Sequence, residues 1–339
     1  MSNQSSHFAK EIKILISFLF IGALFFLFIR NFDESREYYR NGILMDTFIE
    51  VRIWGRDGER ALNECWENLE YLAKLLDRFS NNSDIYRINS KAGSWVKVAE
   101  DTLEIINKAI YYAKMTDGYF DPTIAPLLKL WGFYDKRYRI PTEDEVKREL
   151  RKVDFRRIQI REKMVFIPKG MEIDLGGIAK GYILDRLLSS LKRYKIERAL
   201  LNIGGQIGVY GKPKDGNEWE IRIRNPRKLD DYIGLVYINK GSVATSGDYE
   251  RYFIRDGIRY CHLIDPKTGY PVREVMSVSI ISENATKADA LSTAFFVMGA
   301  KAISYWEKFT DLGVVIVFSD GKIWYSPNIH FVKNEDYKY

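Results

Sequence analysis

A chain of 339 residues that is 46% hydrophobic and 29% charged is a globular protein with material for one large domain or two modest ones. Its net charge of +6 arises from 52 Lys and Arg scattered among 46 Asp and Glu; no one-sided basic stripe argues for nucleic acid, while attraction to a small anion stays open. Two cysteines far apart, Cys65 and Cys261, make neither a disulfide framework nor a zinc spacing.

Residues 1–13 are polar and carry Lys10 and Lys13. Residues 14–29 are then almost wholly apolar and are closed by Arg30. The run falls slightly short of the roughly 20 residues of a bilayer span, but Lys13 and Arg30 can snorkel at its ends. It ends in Phe-Ile-Arg-Asn-Phe-Asp, a poor cleavage site, and no Cys follows for a lipid anchor. The expectation is a cytoplasmic N-terminus at 1–13, an uncleaved transmembrane signal anchor at 14–30, a polar linker at 31–42 and a folded domain at 43–339. Charge bias does not fix the orientation, since Arg30, Arg36 and Arg40 compete with the two lysines.

From Gly42 to Trp54 apolar and polar residues alternate, which predicts a strand. Leu62, Cys65, Trp66, Leu69, Leu72, Leu76 and Phe79 fall at helical spacing over 59–79, and Ser80-Asn81-Asn82-Ser83 begins a loop. A second helix is predicted over 101–116, stopped by Asp117-Gly118. A third starts after Pro141-Thr142, with Thr142 as N-cap and Glu145 three residues on. Short strands follow near 157–161 and 164–167. Residues 172–182 read as a strand end, a Gly-rich turn and a helix start, where backbone N–H groups suit a phosphate but tight helix–sheet packing would ask for the same glycines. Strands at 198–210, broken by Ile203-Gly204-Gly205-Gln206, and at 219–224, 233–238 and 277–282 precede a helix at 286–298 with Gly299 as its stop. A hairpin at 314–325 ends the pattern. The fold class is α+β, with mixed and antiparallel sheet segments flanked by helices.

The chemistry concentrates in three places. Residues 242–272 hold Ala244-Thr245-Ser246-Gly247, then His262 and the turn Asp265-Pro266-Lys267-Thr268-Gly269. His262 is the natural base for a hydroxyl nucleophile, since imidazole titrates near neutrality; an ordinary hairpin with a solvated His fits the same residues. Asp265 either orients His262 or caps its own turn. Cys261 and His262 are neighbours on a strand and point to opposite faces, which argues against a Cys–His nucleophile pair. On the helix near 289, Asp289 and Thr293 are four residues apart and share a face as two hard oxygen donors. They suit Mg²⁺ that completes its shell with phosphate and water; a cap at Asp289 and a Thr293 hydroxyl bonded back to its helix is the other reading. Joined to the Gly-rich turn and His262, the pair points to a Mg²⁺-assisted reaction at a pyrophosphate.

Eight collinear blocks over residues 43–310 resemble one family, the FAD:protein FMN transferases (ApbE-like). They begin with Met45-Asp46-Thr47, Ser83-Asp84-Ile85-Tyr86-Arg87-Ile88-Asn89, and Thr116-Asp117-Gly118-Tyr119-Phe120-Asp121-Pro122-Thr123 with Leu130-Trp131-Gly132-Phe133. They continue with Asp174-Leu175-Gly176-Gly177-Ile178-Ala179-Lys180-Gly181-Tyr182, Ile203-Gly204-Gly205 and Ala244-Thr245-Ser246-Gly247-Asp248-Tyr249. The last two are His262-Leu263-Ile264-Asp265-Pro266-Lys267-Thr268-Gly269 and Ala288-Asp289-Ala290-Leu291-Ser292-Thr293. The resemblance implies that FAD, as substrate, is split at its pyrophosphate. Its FMN half passes to a Thr or Ser hydroxyl of a partner protein, and AMP leaves. The implied partner is a flavin-bearing subunit of a membrane redox complex, of the Na⁺-pumping quinone reductase or Rnf type, and the implied place is the extracytoplasmic side of the cell membrane. Mg²⁺ maps to Asp289, Thr293 and a carbonyl of the Gly-rich turn, Ala179 or its neighbour Gly177. The base maps to His262. FAD contacts map to Met45, Phe79, Ser80, Tyr119, Phe120, Asp121, Gly176, Tyr182 and Cys261. Two departures stand out: Cys261 occupies a position where the family often has Ser, and a membrane span replaces the lipid-bearing Cys of many relatives. A surface flavoprotein that binds FAD and cleaves it slowly, without an acceptor, is the alternative in another functional class.

Overall fold

The computed structural model describes residues 36–337 apart from 229 and 310, together with Phe20 and Gly22. Among the described residues no helix is long and apolar enough to cross a membrane; the anchor expected at 14–30 lies, those two residues aside, outside them.

β1 (Glu37–Leu44) and β2 (Thr47–Trp54) form a hairpin in which Leu44 faces Thr47 across the two-residue turn Met45-Asp46. The single strand expected from residue 42 to 54 is therefore two. Met45 and Asp46 both take positive φ, 54° and 56°, the twist a two-residue hairpin needs. Neither is Gly, and the apolar alternation runs straight through them, so the turn carried no signal. The linker expected at 31–42 is corrected from residue 37 onward, which is β1. Its inward side packs on Trp66, with the Arg40 guanidinium 4.3 Å above the indole.

α1 (Gly58–Leu76) buries the expected stripe, Leu62, Cys65, Trp66, Leu69, Leu72 and Leu76. α2 (Asp84–Ser90), expected as loop, starts at Ser83, whose hydroxyl accepts the Tyr86 N–H at 3.0 Å. β3 (Val96–Lys97) and α3 (Glu100–Met115) follow, then α4 (Ala125–Leu130) and α5 (Glu143–Leu150), which carries the expected Thr142/Glu145 capping box. β4 (Gln159–Arg161) and β5 (Met164–Phe166) pair with β3 in a small sheet. α6 (Ala179–Leu191) leads to β6 (Arg198–Ile203), β7 (Gln206–Gly211), β8 (Trp219–Arg224), β9 (Tyr232–Ile238) and β10 (Gly241–Gly247). β11 (Tyr252–Arg255) and β12 (Ile258–Cys261) form a separate hairpin. β13 (Val275–Ser282), α7 (Ala285–Met298), α8 (Lys301–Trp306), β14 (Gly313–Phe318), β15 (Ile323–Tyr325) and β16 (His330–Lys333) complete the chain; α8 and β16 had no counterpart in the sequence reading.

The main sheet has the order β1-β2-β6-β7-β10-β13-β14-β15. Every strand pairing among the described residues is antiparallel, so the α+β class holds and its parallel component does not appear. Helices cover one face, through a core that includes Ile49, Val51, Leu69, Leu187, Leu201 and Val278. The β16-β9-β8 sheet covers part of the other, where Val209, Val243 and Val317 meet Trp219, Ile221 and Phe331.

α7 is the centre of the molecule. Twelve of its 14 residues are buried, and a helix apolar on all sides belongs inside. Its N-terminus is held twice. The Asn284 side chain accepts the Lys287 N–H at 2.7 Å, and Asp185 on α6 accepts the N–H groups of Ala285 and Thr286, both at 2.8 Å. A carboxylate there also suits the positive end of the helix dipole. The two helices touch at Gly181, where a Cβ would fall 2.2 Å from the Ala285 carbonyl oxygen. Only glycine permits that approach.

Candidate active site

Asp289 and Thr293 lie on α7 where it faces the start of α6. Asp289 is 2% exposed. Its Oδ2 accepts the Gly181 N–H at 2.9 Å and its Oδ1 accepts the Gln206 amide N–H at 2.5 Å. Asp289 thus caps α6, which lacks a side-chain cap of its own, and not the helix it sits on. Burial holds its carboxyl above the usual range, against the opposing charge of Lys180 and the hydrogen bonds from Gly181 and Gln206. The Thr293 hydroxyl lies 3.3 Å from Ser246 on β10, which also meets Ser292 at 2.8 Å. It is Ser292 that bonds back along the helix, to the Asp289 carbonyl at 2.8 Å.

The Gly-rich turn packs against this pair. Gly177 lies against Thr293, so that a Cβ there would stand 2.9 Å from Oγ1 and 3.2 Å from the Phe120 ring. Ala179 is half-buried at the first position of α6. The turn does not present a row of open N–H donors. Gly176 donates to Asp174 at 2.6 Å, Ile178 and Ala179 donate to the Leu175 carbonyl at 3.0 and 2.8 Å, and Gly181 donates to Asp289. Of the two readings of these glycines, the packing one accounts for the close contacts at Gly177 and Gly181.

His262 follows β12 directly. Its backbone N–H donates to the Arg251 carbonyl at 3.0 Å, and Nδ1 lies 3.2 Å from the same oxygen. A carbonyl can only accept, so Nδ1 carries the proton and Nε2 keeps its lone pair. The half-buried ring packs edge-on to Phe133. Burial, then the Arg251 charge, push the imidazole down to about 3; Lys180 adds to this and Asp174 opposes it. Lys180 therefore acts on both His262 and Asp289. Asp265 does not orient His262. Its carboxylate accepts the Lys267 N–H at 2.8 Å and the Thr268 hydroxyl at 3.2 Å, which caps the turn, and Gly269 takes the expected positive φ, 81°. Trp131 pins that turn with an indole N–H bond to the Gly269 carbonyl at 3.0 Å.

The remaining sequence candidates separate into two groups. Met45 is half-buried in the β1–β2 turn, which adjoins the Gly204-Gly205 turn through the Gly204 N–H bond to Phe48 O at 2.9 Å. Phe79 is 58% exposed and meets Tyr134 edge-on at 5.5 Å. Behind it Arg78 bonds Asp174 at 3.1 Å and Glu172 at 2.7 Å, which ties the aromatic pair to the Gly-rich turn. Ser80 begins the adjoining loop and accepts the Ser83 N–H at 2.9 Å. Tyr119 is half-buried beneath the Lys267 ammonium, 3.8 Å from the ring centre, and Phe120 is buried against Gly177. The second group is engaged within the protein. The Asp121 carboxylate accepts the Thr123 N–H and hydroxyl at 2.8 and 2.6 Å and the Phe155 N–H at 3.1 Å. The Tyr182 hydroxyl lies 3.0 Å from both Asp101 and Glu104 on α3. The Cys261 thiol is buried 3.4 Å from the Val272 carbonyl, and burial pushes it up to about 12.

Sequence reading gave no role to Gln206, Lys180, Arg251 or Arg78. Lys180 and Gln206 each adjoin a Gly-rich turn, and that adjacency is their one local signal. Among the described residues no group of three or more His, Cys, Asp or Glu is placed to hold a metal, so a cage made wholly of such side chains is not available. The buried Asp289 carboxylate and the Thr293 hydroxyl are instead hard oxygen donors on one helix that fit Mg²⁺ sharing its shell with phosphate and water, and the amide that bonds Asp289 keeps a buried, unpartnered Oε1.

The ApbE family model matches residues 45–316. The FAD:protein FMN transferase of Treponema pallidum (strain Nichols) is 32% identical over 312 residues, 85% of this chain and 86% of the relative. That of Klebsiella pneumoniae (strain 342) is 32% identical over 275 residues, 79% and 85% of the two chains. Among solved structures, the ApbE protein of Thermotoga maritima superposes with a TM-score of 0.80 at 35% identity, covering 86% of this chain and 97% of its own. The flavin transferase ApbE of Vibrio cholerae gives 0.76 at 27% identity, covering 86% and 98%.

Proposed function

The chain belongs to the ApbE family, and from that premise we propose that it is an FAD:protein FMN transferase, moving the FMN half of FAD to a Thr or Ser hydroxyl of a partner redox protein and releasing AMP. The observation that carries this reading is the pairing of His262, whose Nε2 is left as an acceptor by the Nδ1–H bond to Arg251, with the oxygen set of Asp289 and Thr293, both under the charge of Lys180.

The acceptor hydroxyl oxygen attacks the phosphorus on the FMN side. The bond to the bridging oxygen breaks, and AMP carries that oxygen away. His262 Nε2 takes the hydroxyl proton. Lys180 and Arg251 bear positive charge toward the phosphates, and the pyrophosphate in turn offsets the charges that hold the imidazole low, so bound FAD makes His262 a stronger base. Mg²⁺, held by Asp289, Thr293 and a carbonyl at Ala179 or Gly177, would neutralise phosphate charge and polarise the phosphoryl group. Met45, Phe79 with Tyr134, and Tyr119 supply apolar surface to cover the flavin. The partner is a flavin-bearing subunit of a membrane redox complex, reached from an anchor at 14–30 that leaves the domain on the extracytoplasmic side.

The test is to incubate the full chain with FAD, Mg²⁺ and an acceptor domain, then weigh the acceptor. An FMN adduct with equimolar AMP is expected. Free FMN and AMP without an adduct would replace this reading with an FAD pyrophosphatase. For the anchor, the intact mass of membrane-extracted protein should include residues 1–30; a mass lacking them would overturn it.

A further inference from the structure

Two buried side-chain polar atoms among the described residues lack a hydrogen-bond partner, Arg78 Nε and Gln206 Oε1. The second belongs to a residue 2% exposed, at the first position of β7, whose other amide atom lies 2.5 Å from Asp289. We propose that Gln206 is a positioning residue of the cation site: its N–H orients the Asp289 carboxylate, and its Oε1 accepts a hydrogen bond from a water molecule in the cation's shell. This rests on the reading of Asp289 and Thr293 as cation ligands.

The amide's orientation follows from chemistry. A carboxylate accepts only, so the NH₂ must face Asp289, and the carbonyl oxygen is the amide atom left without a partner. Asp289 then receives one N–H on each oxygen, from Gln206 and from Gly181, which fixes its plane and leaves each oxygen a further lone pair. Buried acceptors are rarely left unmade without a function. Mg²⁺ dehydrates reluctantly and keeps several waters, whose hydrogens need acceptors, and groups behind the ligands set their orientation. The hydroxyls of Ser246 and Ser292 are already bonded to one another, and Ser292 to the Asp289 carbonyl. Gln206 Oε1 is the buried oxygen left over beside Asp289.

The experiment titrates the full chain with Mn²⁺ alone, following free Mn²⁺ by electron paramagnetic resonance, and records the rise in thermal midpoint at fixed Mn²⁺. Q206L, which removes both amide atoms, is expected to weaken Mn²⁺ binding by about 10- to 100-fold and to shrink the Mn²⁺-dependent rise. Q206E, which keeps the outer oxygen but loses the N–H that faces Asp289, is expected to bind Mn²⁺ more weakly than the parent chain and more tightly than Q206L. A purely structural role would lower the midpoint without Mn²⁺ and leave the metal-dependent rise unchanged; that result, or Q206L binding within twofold of the parent, overturns the proposal. Equal weakening in Q206E overturns the part given to Oε1. D289N, run alongside, separates the premise: if its Mn²⁺ binding equals the parent's, the cation site lies elsewhere and the proposal falls with it.

Discussion

The two sides of the proposed site are built by different means. On the catalytic side, Asp289, Gly181 and Gln206 are buried and Thr293 is half-buried, and each is bonded or packed against a residue from a distant part of the chain. On the flavin side, Phe79, Ser80 and Tyr119 sit in loops, partly or largely exposed, held by ring contacts and one cation above an aromatic face. Fixed polar groups act where charge develops, and their geometry has to be set beforehand. Apolar surface over a planar ring tolerates small shifts. Substitutions on the first side should therefore act on the chemical step, and those on the second on affinity.

Asp289→Ala tests the first half most severely. It removes the proposed ligand and strands the Gly181 N–H and the Gln206 amide, so Mg²⁺-dependent transfer should fall at least about a thousandfold, read as the rate of adduct formation. Full activity would remove Asp289 from the site. His262→Ala should slow transfer by about 10²- to 10⁴-fold while FAD affinity stays within about threefold, checked by single-turnover mass spectrometry and calorimetry. Unchanged transfer would end its role as base. Phe79→Ala should do the reverse. FAD should bind roughly tenfold more weakly, the scale of one lost aromatic contact, with the rate at saturating FAD preserved. A large loss of that rate instead would erase the distinction between the two sides. The smallest effect concerns stability. The folded protein keeps His262 neutral down to about pH 3, whereas an unfolded chain protonates it near 6.5, so the unfolded state binds more protons between those values. Stability should fall on acidification across that window, and more gently in His262→Gln. Identical denaturant midpoints against pH would contradict the neutral imidazole.

The placement of residues on the catalytic side was legible where their partners are close in sequence. The spacing of Asp289 and Thr293 on one helix face, the polar turn after His262 and the Thr142/Glu145 capping box all follow local rules. Gln206 was not legible, because its bond to Asp289 spans 83 residues and no local pattern marks it. Nor was the reversal by which Asp289 caps α6, a choice made by the tertiary approach at Gly181. In the fold, the long amphipathic helix and the central strands were plain from periodicity. The Met45-Asp46 turn was hidden by alternation that continues across it, and α8 and β16 are too short to build a pattern. The linker reading failed at β1 because the outward-facing Glu37, Tyr39 and Asn41 give that edge strand a polar character.

The cap that Asp185 places on α7 carries a consequence for the order of assembly. The carboxylate and the N–H groups it receives are about 100 residues apart, as are Gly181 and Asp289. During synthesis α6 emerges first and waits for α7, an interval of roughly 5 to 20 s at ribosomal speeds. Contacts of such separation are closed late, after shorter loops have formed. A chain released from the ribosome before residue 289 therefore contains the Gly-rich turn and Gln206 without the carboxylate they bond.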